Sequence, residues 1–210
     1  MCYRYYFSRD EIRLRAYYYT AASSKLAELF REIGKELKNS GEILPMDTAP
    51  VLAVDRNGVE RCFPMRFGYL MDKGKPVLNS RSETAMTKPM FRESWLIRRC
   101  AVPCTGYIEW DHYTDSRGKL RTGDKHLITS PDEEITFLLG LYRMEEGLPC
   151  FTVLTEAPSK DIVQIHDRMP VILPEKHISE WLDRNNDPSE IIRNAVTSHR
   201  VGLFSETAAI

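Results

Sequence analysis

Asn57-Gly58, set between the apolar run Val51–Val54 and a second run from Val59 to Leu70, limits the fold more than any other feature. Both residues accept the left-handed backbone of a two-residue turn, so the flanking runs are expected to pair as an antiparallel hairpin. The same grammar, short apolar runs punctuated by turn formers, continues through the chain. Strands are expected at residues 1–7, through the alternating basic and apolar stretch Trp95–Ile108, and at His126–Thr129, Ile135–Met144 and Cys150–Thr155. Asp115–Asp124, polar with two glycines, reads as an exposed loop, and Met71–Pro76 as another.

Helices flank these strands. Leu26, Leu29, Phe30, Ile33 and Leu37 recur at helical spacing, with Ser23 or Ser24 as the cap and Gly41 as the stop. Pro158-Ser159 opens a short helix through Ile165, Pro174 opens one presenting Ile178, Trp181 and Leu182, and Asp187-Pro188-Ser189-Glu190 caps a last one. Repeats and long Pro/Gly/Ser linkers are absent from the sequence. The expectation is one α+β domain over residues 1–210 with a mainly antiparallel sheet.

A formal net charge of -1 excludes a polycation, so any nucleic-acid contact must come from a local arginine cluster. Five cysteines, an odd number, do not make a disulfide framework, and no signal peptide precedes them. The expected setting is the cytoplasm, with no membrane span. Cys100 and Cys104 lack the second pair that a zinc site needs, so neither metal nor cofactor is expected.

Three groups of residues carry candidate chemistry. Cys2 would, if Met1 were removed, present an amine with a reference pKa of about 8 beside a thiol of about 8.5. That pair can condense with an aldehyde to an imine and close to a thiazolidine; read by itself, Cys2 is also an ordinary small apolar residue of a strand. Glu109 lies among aromatic and apolar residues, where burial raises a carboxyl pKa and suits it to acid–base work, the alternative being an ion pair with Arg98 or Arg99. His166 ends the short helix from Pro158, whose dipole would favour the protonated ring, the alternative being a structural histidine. His112, His126, His177 and His199 read as surface or strand-edge residues. Asn79, Arg81 and Glu83 alternate along a strand-like stretch and would share one face. Arg4, Arg81 and Arg168 are the candidates for phosphate, which suits the planar guanidinium fork.

Four separated segments together resemble one family: Met1-Cys2-x-Arg4, Asn79-Ser80-Arg81-Ser82-Glu83-Thr84, Arg98-Arg99-Cys100 through Gly106-Tyr107-Ile108-Glu109-Trp110, and His166-Asp167-Arg168-Met169-Pro170. They resemble the SOS response-associated peptidase (SRAP) family of abasic-site processing proteins. The resemblance implies a β-rich, barrel-like core, removal of Met1, whether autoproteolytic or by a host aminopeptidase, and a covalent thiazolidine crosslink from Cys2 to the opened sugar of an abasic site in single-stranded DNA. It makes Cys2 the nucleophile, Asn79 the residue holding the sugar, Glu109 the proton carrier at the amine, and His166 the stabiliser of sugar or phosphate oxygen. Arg4, Arg81 and Arg168 would bind DNA, and a lyase side activity would accompany the chemistry. A monomer is expected, nucleoid-associated if bacterial. The sequence departs from the family at Tyr3, where glycine is common, and at Tyr69, in a segment where tryptophans are common. Two rival readings are a cysteine peptidase or amidase acting in trans and a non-covalent single-strand-binding module.

Overall fold

The computed structural model describes residues 3–71, 74–130, 133–198 and 204–207. Met1, Cys2, Asp72, Lys73 and His199 therefore lie outside the described residues. In chain order the elements are β1 (Arg4–Phe7), α1 (Ile12–Ala22), α2 (Lys25–Glu32), β2 (Gly41–Ile43), β3 (Thr48–Val54), β4 (Glu60–Phe67), β5 (Asn79–Arg81), α3 (Ser82–Ala85) and α4 (Pro89–Ile97). Then follow β6 (Arg99–Cys104), β7 (Gly106–Thr114), β8 (Leu120–Thr129), β9 (Thr136–Glu145), β10 (Leu148–Glu156), β11 (Met169–Pro170), β12 (Ile172–Leu173), a 3-10 turn at Glu175–His177, α5 (Ile178–Leu182), α6 (Pro188–Ser198) and β13 (Phe204–Thr207).

The β3–β4 hairpin forms at Asn57-Gly58 as expected, with Val54 opposite Glu60 and Thr48 opposite Arg66, but its loop has three residues, 56–58, of which Gly58 alone takes a positive φ, +80°. It is one wall of a closed ring. β3 pairs with β6, β6 with β9 and β9 with β10, all antiparallel, and β10 returns to β4 in parallel, Cys150 against Arg66. The result is a five-stranded barrel in an α+β fold, closed by one parallel seam. Closure leaves none of these five strands as a free edge. Gly140 on β9 is fitted to the closure: a Cβ there would stand 2.7 Å from the Thr152 carbonyl oxygen and 2.9 Å from Cys100 Sγ. Phe67 and Phe151 stack across the parallel seam with ring centroids 5.1 Å apart, within a core that also holds Val51, Met65, Val102 and Leu139.

A second sheet runs β13-β8-β7-β1-β2. The chain passes from barrel to second sheet at Thr105, whose N–H donates to the Tyr6 carbonyl at 2.9 Å. Around the sheets, α2 begins where Ser24 accepts from the Ala27 N–H, and α6 where the Asp187 carboxylate accepts from the Ser189 N–H at 2.8 Å. Among the described residues, no helix is long and apolar enough to cross a membrane.

Several local expectations are corrected. α2 stops at Glu32, and Gly34 takes a φ of +68°, so Ile33 and Leu37 fall outside the helix and Gly41 opens β2 instead. The stretch before it is a further helix, α1. Residues 115–124 are a tight turn at Asp115–Lys119, where the Asp115 N–H meets the Lys119 carbonyl, followed by the start of β8. Trp95 belongs to α4 rather than to a strand. The segment from Pro158 makes a single helical turn, Val163 N–H to Ser159 O and His166 N–H to Ile162 O, both 3.0 Å, too short to carry a helix dipole. Glu83 lies in α3, so the shared strand face ends at Arg81.

Candidate active site

β7 supplies the buried acid. Pairing of Tyr107 with Tyr5 and of Ile108 with Arg4 fixes its register on β1, and the period of two puts Tyr107 and Glu109 on one face, Ile108 and Trp110 on the other. Glu109 is 5% exposed, and burial pushes its carboxyl above the usual carboxylate range, with the nearby Asp167 charge pushing the same way. Neither arginine considered for an ion pair is committed to it. Arg98 pairs with Glu93 at 3.2 Å, whereas Arg99 is buried and donates to the carbonyls of Trp181 (2.7 Å), Asn186 (3.2 Å), Trp95 and Asp183.

His166 sits at the end of its single turn with Nδ1 accepting the Arg168 backbone N–H at 3.0 Å. Burial lowers its pKa, the opposite of the dipole expectation, because the turn offers too few aligned peptides to offset desolvation. Asp167 Oδ1 lies 2.8 Å from the same nitrogen and pushes the pKa up, but by less than burial lowers it. The ring therefore gives up its second proton more readily than a free imidazole, and with Nδ1 accepting from Arg168 its neutral form carries the proton on Nε2. His112 of β7, read from the sequence as a surface residue, brings its ring to 6.2 Å from that of His166. This contact and the influence of Asp167 on Glu109 join the His166 turn to β7.

Arg168 fastens the turn to the rest of the site. Its guanidinium donates to both carboxylate oxygens of Glu83 at 2.7 and 2.9 Å and to the Thr155 carbonyl at 2.7 Å, linking α3, β10 and the His166 segment. β5 runs parallel to β10, with Asn79 opposite Val153 and Arg81 opposite Thr155. Asn79 Oδ1 is buried and has no hydrogen-bond partner among the described residues, while Arg81 is exposed. Asn79 and Arg81 thus lie on a strand paired with β10, to which Arg168 also bonds, and His166 packs against His112 of β7, the strand that carries Glu109. A groove of about 500 Å³ opens beside Glu83, lined also by Ser82, Met86, Trp95, Glu156 and Arg193.

Arg4 is placed apart. Its guanidinium stands 5.1 Å from the Trp110 ring centroid and pairs with Glu42 at 3.0 Å, on the face of the sheet away from Glu109. Lys125 joins the same cluster, bonding Glu42 and lying over Trp110. Tyr69, considered as a stacking surface, is fully buried, with Arg143 4.3 Å above its ring and Phe91 beside it. Cys100 and Cys104 are buried free thiols in β6. Among the described residues, no group of three or more His, Cys, Asp and Glu side chains could hold a metal ion.

A family model described as SOS response associated peptidase (SRAP) matches residues 1–203. The chain is similar to abasic site processing protein YoaM of Bacillus subtilis (strain 168), 32% identical over 126 residues, covering 58% of this chain and 53% of that protein. It is similar also to abasic site processing protein YedK of Escherichia coli (strain K12), 30% identical over 126 residues, covering 57% and 54%. The alignments thus span about half the length of the curated relatives. A crystal structure of a Bacteroides thetaiotaomicron protein matches with a TM-score of 0.72 at 21% identity, over 97% of this chain and 91% of that one. One from Bordetella bronchiseptica matches with a TM-score of 0.68 at 20% identity, over the whole of both chains. At such identities the likeness is one of fold. Matched over nearly all of its length by the family model, the chain belongs to the SOS response associated peptidase (SRAP) family.

Proposed function

We propose that this protein processes abasic sites in single-stranded DNA by capturing them covalently through Cys2, once Met1 has been hydrolysed away. The names of the curated relatives support the substrate class. The observation that carries the mechanism is Glu109: a buried carboxyl with a raised pKa, on the strand that pairs directly with β1, whose first residue is two positions from Cys2.

An abasic deoxyribose is mostly a closed hemiacetal, and its aldehyde must be opened before an amine can attack. Asn79, with a buried amide oxygen still to be satisfied, holds the sugar hydroxyl in this reading. The Cys2 amine adds to the aldehyde carbon, and the carbinolamine loses water when its hydroxyl is protonated. Glu109, protonated more readily than an exposed carboxyl, supplies that proton and takes one from the amine. Neutral His166 directs its Nε2–H at the departing sugar oxygen. The Cys2 thiol then adds to the imine carbon, its proton passing to the nitrogen, and the thiazolidine closes with one water lost overall. Ring closure removes the imine that water would hydrolyse, so the product persists as a DNA–protein crosslink.

Arg81 is the exposed cation of the site and contacts the DNA backbone. Arg168, already bound to Glu83 and Thr155, acts by holding the His166 turn, and Arg4 presents its charge beside Trp110. The test is a denaturing gel of protein incubated with a single strand carrying one abasic site. A shifted band that vanishes in Cys2→Ala is expected. A band that survives in Cys2→Ala, or its absence from the wild type, overturns the reading. Equal non-covalent binding of intact and abasic strands would favour a simple binding module.

A further inference from the structure

We propose that His126, held by Asp111, is a positioning residue that takes up and returns the proton of Glu109. This rests on the role proposed for Glu109 above. Glu109 and His126 are directly opposite in the β7–β8 ladder, so their side chains leave the same face of the sheet with Cβ atoms about 5 Å apart. The next inward residue of β7, Asp111, reaches across to His126, Oδ2 to Nε2 at 3.2 Å. A carboxylate only accepts, so Nε2 carries the hydrogen, and in the uncharged form of the ring the lone pair is then on Nδ1. That nitrogen is buried and has no hydrogen-bond partner among the described residues.

The arrangement is built rather than incidental. Between the Trp110–Lys125 and His112–Thr122 pairs, β8 carries one residue more than β7, a bulge that turns the Asp124 N–H onto Asp111 Oδ1 at 2.8 Å. Gly123 leaves the space for that carboxylate: a Cβ there would lie 1.9 Å from Oδ1. Both oxygens of Asp111 are thereby engaged, one on the bulge and one on His126. Side-chain exposure rises outward, 15% at His126 and 35% at Asp111, from a Glu109 that is nearly sealed. Glu109 and Asp111 are the titratable groups facing His126 from β7, and β13 contributes Thr207 at the matching register. Lys125, its neighbour in β8, points to the other face, toward Glu42.

The relay moves one proton and nothing else. The Glu109 carboxyl, which does not itself hydrogen-bond Nδ1, passes its proton to that nitrogen through one bridging water, the Nε2–H stays on the ring and donates to Asp111, and the imidazolium so formed is neutralised by that carboxylate. The reverse transfer reloads Glu109 for dehydration of the carbinolamine. A buried acid that both takes a proton from the amine and gives one to the carbinolamine hydroxyl needs such a route to water.

The experiment measures single-turnover crosslinking rates to an abasic single strand across pH for wild type, His126→Ala, Asp111→Asn and Glu109→Gln, with and without added imidazole. His126→Ala is expected to be about ten- to a hundredfold slower and to recover with imidazole, and Asp111→Asn to be slowed with a displaced pH profile. The inference is overturned if either variant runs within twofold of wild type, or if both are slowed by one factor at every pH and imidazole restores nothing, which would mark a purely structural role. A wild type that forms no crosslink sinks the proposed function itself. A wild type that crosslinks, slowed by Glu109→Gln but not by the other two, leaves that function standing and removes His126 from it.

Discussion

Glu109→Gln should separate stability from chemistry. The carboxyl is 5% exposed and burial holds its pKa above the ordinary value, so above the unfolded pKa of about 4.3 the folded protein retains a proton that the unfolded chain has released. Stability contributed at this site therefore falls as pH rises through the interval between the two pKa values, by about 1.4 kcal/mol per pH unit, and the loss is complete above the folded pKa. The amide matches the carboxyl in shape, opens no cavity and never ionises. The variant should accordingly match or exceed wild-type stability at pH 7, each kcal/mol gained raising Tm by about 2–4 °C for a chain of this size. Crosslinking should fall about a hundredfold, equivalent to about 2.7 kcal/mol of barrier, because the amide neither donates nor takes the proton. Urea titrations of both proteins between pH 4 and pH 8, paired with crosslinking rates, make the comparison. A variant less stable at pH 7, with the wild-type pH slope intact, would mean that the ionised carboxylate stabilises the fold, and an undiminished rate would remove it from the chemistry.

Other outcomes follow from neighbouring contacts. Arg168→Met breaks the link to Glu83 and Thr155; with Glu83 49% exposed, the ion pair itself is worth at most about 1 kcal/mol and the Thr155 bond from a charged donor about 1.5–3 kcal/mol, a loss of about 2–3 kcal/mol that urea unfolding would read. Because Arg168 holds Glu83 in its ionised form, lowering that carboxyl's pKa, the pair stabilises above the unfolded Glu pKa and is lost as pH falls through the folded value; the Arg168→Met deficit should shrink in acid. Arg99→Leu leaves the carbonyls of Trp181, Asp183 and Asn186 without their donor and should cost about 3 kcal/mol or more, with little effect on the crosslinking rate of the protein that remains folded. Arg81→Ala should leave stability unchanged and weaken strand binding, reducing the slope of log affinity against log salt by about 0.7, the value for one phosphate contact on single-stranded DNA.

The hairpin at Asn57-Gly58, the Ser24 cap and the strands from His126 to Thr155 were legible because each rests on local chemistry: turn geometry, a side-chain acceptor for a helical N–H, and alternation. Helix α1 was not, because only Leu14 and Ala21 of it are buried and Tyr17-Tyr18-Tyr19 erases any helical period. Barrel closure was invisible to local pattern, since the parallel seam of β4 on β10 joins strands far apart in the chain. The site divides in the same way. Asn79, Glu109 and His166 each stood out by context, but the contact of Arg168 with Glu83 spans 85 positions, beyond the reach of any local pattern. Arg99, which the sequence offered as an ion-pair partner of Glu109, donates instead to carbonyls at the end of α5, more than 80 positions away. His126 offered no local signal, because its meaning comes from the residue opposite and from a bulge whose register only the paired strands define.

Joint reaction of an amine and a thiol at one chain end with an aldehyde is tested most directly by intact-mass spectrometry of the protein after incubation with an abasic single strand. The predicted species has the mass of the chain without Met1 plus that of the strand, less one water, and is lost in Cys2→Ala. An adduct that retains Met1, or one formed equally well by Cys2→Ala, would contradict it.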